Sequence, residues 1–198
     1  MDTSIAIKGR NFAVIATDMK VARSVFVVKE SQDKFVSIKD KVVMSATGDQ
    51  GDAFRAMLSV SEKALFENIQ NGIEPSPSVV AHIMQNRIHE NSRKAPLNVS
   101  TMIAGKGSDG YELWAVDKYG AMSSVPFCAN GYAMYLAYGI FDKEYSESLD
   151  IESALEIIQK CINLMRERLM ISLESFMVKI VTDNGIITKT LHPQIKSN

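Results

Sequence analysis

Cysteine is nearly absent from the chain: Cys128 and Cys161 are the only two. So widely separated a pair, with no secretory signature, reads as two buried thiols rather than a disulfide, and the expected location is cytoplasm and nucleus. An excess of charge of one sign is missing too, since 22 Lys and Arg offset 23 Asp and Glu for a net −1. That balance leaves no electrostatic footprint for nucleic acid or an anionic membrane. No apolar run approaches the roughly 20 residues that span a bilayer, and no charged-then-apolar signal segment opens the chain. Without secretion, the glycosylation triplet Asn98-Val99-Ser100 carries no meaning. Histidine is equally sparse. His82 and His89 lie seven apart on one expected helix with no cysteine or third histidine beside them, so they read as surface or packed residues; no metal and no cofactor is expected.

What is present is a large apolar share, 46% of 198 residues, enough for one domain over 1–198 with a short tail from about 193. Ile5 and Ile7 alternate with Ala6 and Lys8, Gly9-Arg10-Asn11 turns, and Phe12 to Ala16 runs back, so a hairpin is expected from the first residues. A chain end tied into a sheet is unusual. One enzyme class builds its site there: the hydroxyl of residue one attacks while its own α-amine takes the proton.

Ser24 to Lys29 and Lys34 to Ile38 read as two strands around the polar turn Glu30-Ser31-Gln32-Asp33, and Lys41 to Ala46 as a fifth. Gly48-Asp49-Gln50-Gly51-Asp52 then opens a helix whose stripe is Phe54, Met57, Leu58, Ser61, Leu65 and Ile69, stopped at Asn71-Gly72. The acidic turn lacks the Gly-Lys-Ser/Thr ending of a phosphate loop and is expected only to start the helix. Ser76-Pro77 opens another helix, with Val79, Val80, Ile83, Met84 and Ile88 on its apolar side. A second sheet is expected from Asn98 to Ala104, Tyr111 to Val116 and Ala121 to Val125. Gly131 to Phe141 is apolar nearly all round and reads as a third helix that must be covered on every side. Asp150 caps a fourth, and Ser175 to Thr182, Asn184-Gly185 and Ile186 to Leu191 form a hairpin. Paired helices between runs of hairpin-linked strands predict a layered antiparallel α+β fold.

The whole chain resembles the beta-type subunits of the proteasome core particle, relatives of the N-terminal-nucleophile hydrolases. The resemblance implies a four-layer helix/antiparallel sheet/antiparallel sheet/helix sandwich. Catalytic members carry an N-terminal threonine, an aspartate ending the second strand, a lysine after the next turn and a glycine at a strand-helix junction. Laid on this sequence, these positions fall on Asp2, Asp18, Lys34 and Gly48. Asp2 is not a nucleophile of that kind. The serine-rich opening of the relatives' third helix matches Gly131-Tyr132-Ala133-Met134, their aspartate near the end of the fourth helix matches Leu169, and their following serine matches Ser172. Asp2, Asp18, Lys34, Gly48, Tyr132, Leu169 and Ser172 are therefore read as vestigial positions, with no catalytic residue among them. Thr3 does not replace the nucleophile, because a one-residue slip turns a strand side chain to the opposite face.

Several stretches, including Ala129-Asn130-Gly131-Tyr132 and Val178 to Ile186, most resemble the non-catalytic member in the fourth position of the beta ring (beta type-2 / beta-4). The resemblance implies stacked rings of beta and alpha subunits around a chamber for unfolded polypeptide, with this chain as a wall and no cofactor. Neighbours are expected over Tyr132, Met134, Tyr135, Tyr138 and Phe141. An active threonine endopeptidase and a free-standing binding protein of the same fold are the alternatives.

Overall fold

The computed structural model of the chain describes residues 2–23, 26–170 and 173–194. Twelve strands and four helices are found among them. The opening hairpin pairs β1 (Thr3–Lys8) with β2 (Ala13–Asp18). After the small ribbon β3 (Val21–Arg23) and β4 (Phe26–Lys29), the strands β5 (Phe35–Ile38) and β6 (Val42–Gly48) lead into α1 (Gln50–Asn71) and α2 (Pro77–Asn91). Next come β7 (Val99–Lys106), β8 (Tyr111–Val116), β9 (Met122–Ser124) and β10 (Phe127–Gly131), then α3 (Met134–Glu144) and α4 (Ile151–Arg168). The hairpin β11 (Phe176–Thr182) and β12 (Gly185–Leu191) ends the fold.

Two five-stranded antiparallel sheets result, ordered β10-β1-β2-β11-β12 and β5-β6-β7-β8-β9. Strand alternation explains the layering. Ile5, Ile7, Val14 and Ala16 point to one face, where Ala154, Ile158, Ile162 and Phe141 of α3 and α4 meet them. Ala6, Ala13 and Ile15 point to the other and pack on Val43, Met102 and Leu113 of the second sheet. The outer face of that sheet, including Met44 and Ile103, is covered by Ala56, Val60, Val80 and Met84 of α1 and α2. The order is therefore helix, sheet, sheet, helix, an α+β sandwich of the expected kind.

Helix ends follow their local chemistry. Asp49 accepts from the amides of Gly51 and Asp52, Ser76 from Val79 and Asp150 from Ser153, while Gly72 closes α1 with φ 69°. The Asp49 carboxylate thus occupies the helix N-terminus itself, as expected of a helix start.

Several expectations are corrected. The strand expected over Ser24 to Lys29 is Phe26–Lys29, with Ser24 and Val25 outside the described residues, and it pairs back with β3 rather than with β5. Strand β5 pairs with β6, so β7, β8 and β9 extend that sheet instead of founding a second one. The helix expected from Gly131 begins at Met134, and Phe127–Gly131 is a strand. That strand carries no alternation; its partner β1 makes it. In α1 the stripe is displaced: Ala53, Ala56, Met57, Val60, Ser61 and Ala64 are buried, whereas Phe54, Leu58 and Ile69 are exposed. Small residues let α1 lie close on its sheet, and this outweighs the size of the side chains on the outer face. Within this chain helix α3 is covered on one side only, and Phe141, expected among the residues left for neighbours, is instead buried in the chain's own core with Ala137, while Tyr135 is 77% exposed. The start of the expected tail lies on α4, where Asn163 Oδ1 accepts from the Gln194 amide at 2.8 Å and Gln159 Nε2 donates to the His192 carbonyl at 2.9 Å.

Candidate functional site

Strand ends bring three of the seven singled-out positions together. Asp18 closes β2, Lys34 precedes β5, and Asp2 precedes β1. Their side chains converge where β1 and β2 reach the edge of the sandwich. Lys34 Nζ donates to Asp2 Oδ1 at 2.8 Å, Asp18 Oδ2 at 2.7 Å and the Lys20 carbonyl at 2.8 Å. The other oxygen, Asp18 Oδ1, accepts the Thr3 backbone amide at 2.7 Å. Gln50 Nε2 at the start of α1 stands 3.4 Å from Asp2 Oδ1. Asp33 holds the segment that delivers Lys34, its carboxylate accepting from the Phe35 amide at 2.8 Å and from Lys179 Nζ at 3.2 Å.

The cluster is dry. Lys34 is 10% exposed at its side chain, Asp2 4% and Asp18 1%. Burial pushes the Asp18 carboxyl up, against the opposing pull of the Lys34 ammonium and the Thr3 amide, with the Asp2 carboxylate adding to the rise. Two carboxylates share one ammonium, and the second donor to Asp18 is the Thr3 backbone amide. Such a group is a structural clamp on the start of β1. It contains no hydroxyl that could act as an acyl-transfer nucleophile.

Two glycines shape the approach. At Gly48, φ is 130° and an added Cβ would lie 1.9 Å from the Asn98 carbonyl oxygen. At Gly131, φ is 68° and a Cβ would lie 1.8 Å from the Asp2 carbonyl oxygen, so the β10 turn presses directly on the residue before β1. Tyr132 follows that turn and is 38% exposed. Leu169, the C-cap of α4, packs on the apolar cluster under α3 and α4, apart from the ion cluster. Ser172 lies outside the described residues. Thr3 is buried, and the contact it makes to the cluster is its backbone amide.

Beside Lys34 opens a cleft of about 270 Å³ between the β3–β4 ribbon and α1, walled by Val28, Ala46, Phe54 and Met57, with Asp2 and Lys34 at its base. The Lys20 carbonyl, the Thr3 amide and Gln50, which was read only as part of a helix start, are the cluster members that the sequence did not flag for this site. Lys20 lies two residues from Asp18 but acts through its backbone, which carries no sequence signal.

Elsewhere, Cys128 and Cys161 are buried free thiols, both pushed up to about 12 by burial. His82 packs near Trp114 with a ring separation of 6.4 Å, and no cluster of potential metal ligands occurs among the described residues. No helix among them is long and apolar enough to cross a membrane.

Comparison with known proteins places this geometry in context. The profile of the family described as proteasome subunit matches residues 1–181. A probable proteasome subunit beta type-4 of Encephalitozoon cuniculi is 63% identical over 196 residues, covering 99% of this chain and 100% of the relative. A proteasome subunit beta type-2 of Oryza sativa subsp. japonica is 29% identical over 93% of this chain and 88% of its own. The proteasome subunit beta type-4 of Saccharomyces cerevisiae is 25% identical over 94% and 96%.

Proposed function

Because this chain belongs to the proteasome subunit family, we propose that it is a beta type-4 subunit whose own site is inert because Asp2 stands where a nucleophile would be. Subunits of this family assemble into a multi-subunit particle, and the type-4 member is a non-catalytic part of its 20S core. One observation carries the finer reading. The Asp2 carboxylate is engaged with the Lys34 ammonium at 2.8 Å. A threonine-type site needs that lysine to favour a deprotonated hydroxyl and α-amine; here it neutralises a carboxylate and braces Asp18. The chain then serves as chamber wall, flanked by other beta and alpha subunits and facing unfolded polypeptide. Two reduced, buried thiols support a reducing compartment, cytoplasm and nucleus.

The test uses the purified particle and an electrophile that traps N-terminal threonines. Intact-mass analysis is expected to find adduct on other beta subunits and none on this chain. An adduct on Thr3 overturns the reading and makes this subunit a peptidase.

A further inference from the structure

Among the described residues, four buried hydroxyl oxygens, on Ser4, Thr17, Ser45 and Thr101, find no hydrogen-bond partner. Buried hydroxyls are nearly always satisfied, so each calls for an explanation. Strand alternation places three of them in one layer. Ser4 shares its face of β1 with Ala6, Thr17 shares its face of β2 with Ile15, and Ser45 shares its face of β6 with Val43. All three of those neighbours belong to the cluster between the sheets. Thr101 lies on the face with Ile103, toward α1 and α2, and is separate.

The register brings two of them together, and the third lies on the facing sheet. Ser4 and Thr17 are direct cross-strand partners, and β6 lies across from β1 and β2 on the facing sheet. Ser45 is paired with Phe35, the residue after Lys34; Thr17 precedes Asp18; Ser4 follows Thr3. Along the chain Ser4 and Thr17 therefore stand one residue from the ion cluster, and the next residue on their face of β1 is the small Ala6, paired with Cys128.

We infer that ordered water is bound between the sheets by Ser4, Thr17 and Ser45. Opposed side chains of an antiparallel pair have Cβ atoms roughly 4.5–5.5 Å apart. One water making two hydrogen bonds of about 2.8 Å spans that gap. Ser45 supplies a third partner from the other sheet, the usual number for a buried water.

The decisive experiment is an experimental structure of the assembled particle at a resolution that shows ordered solvent. The expected result is a water peak within hydrogen-bond reach of both Ser4 Oγ and Thr17 Oγ1. A dry contact there overturns the inference. Thr17→Val gives a second readout because it keeps the volume and removes the hydroxyl. If water is bound, the variant strands it and the melting temperature of the particle falls by about 2–4 °C. A rise, the response to deleting an unpaired dry hydroxyl, overturns the inference as well.

Discussion

Replacing Lys34 by Met removes the one cation that two buried carboxylates share. Three hydrogen bonds of 2.7 to 2.8 Å are lost, to Asp2, Asp18 and the Lys20 carbonyl, and the methionine chain fills the space the lysine stem occupied. Breaking a buried ion pair from one side costs about 3–5 kcal/mol, because the remaining charge is left in a dry site. For a chain of this size each kcal/mol moves the melting temperature by about 2–4 °C, so a fall of roughly 10 °C is expected. The sign of the pH dependence follows from Asp18. Its folded carboxyl is already raised by burial, so the stability it contributes is present at low pH and is lost as pH rises through that raised value. Losing Lys34 removes the main opposing pull and raises it further. The deficit of Lys34→Met should therefore be largest near neutrality and shrink on acidification, and Lys34→Met with Asp18→Asn should recover part of it. Differential scanning fluorimetry of particles carrying each variant, across a pH series, reads all of this. A Lys34→Met particle melting within a degree of the parent at neutral pH would refute the view that the cluster clamps β1.

Other consequences can be checked independently. Tyr135→Glu with Tyr138→Glu should leave the fold of this chain intact, since Tyr135 is 77% and Tyr138 38% exposed, yet reduce its incorporation into the particle as measured by native mass. Gly48→Ala should destabilise by several kcal/mol, on the order of the worst core substitutions, because its Cβ has only the Asn98 backbone to displace; a chemical-denaturation midpoint reports it. Cys128 and Cys161, with thiols raised to about 12, should resist a thiol reagent at pH 8 in the folded protein and react promptly once denaturant is added.

The fold was legible where local chemistry and periodicity agree. Asp150, Ser76-Pro77 and Gly72 mark helix ends by their own capping chemistry, and the last hairpin declares itself through Asn184-Gly185. Phe127–Gly131 was not legible, because a strand without alternation exists only by virtue of its partner, β1. The face of α1 was misjudged for a related reason. Phe54, Leu58 and Ile69 repeat at helical spacing as well as the alanines do, and only the sheet beneath decides which side is inner. In the site, Asp2, Asp18 and Lys34 were picked out by the family resemblance, position by position, and not by any local pattern. The Lys20 carbonyl and the Thr3 amide were not, since any residue supplies them.

Helix α1 is apolar on both sides, with alanines, Val60 and Met57 turned inward and Phe54, Leu58, Phe66 and Ile69 outward. The inward set closes a core without help from another chain. The newly made subunit can thus fold before any neighbour arrives, but it then displays four large greasy side chains while it waits. Its survival becomes a race, in which capture by a growing assembly competes with sticking to other orphans. Overproducing this chain without its neighbours should accordingly lengthen the wait and fill the insoluble fraction, whereas matched supply should not.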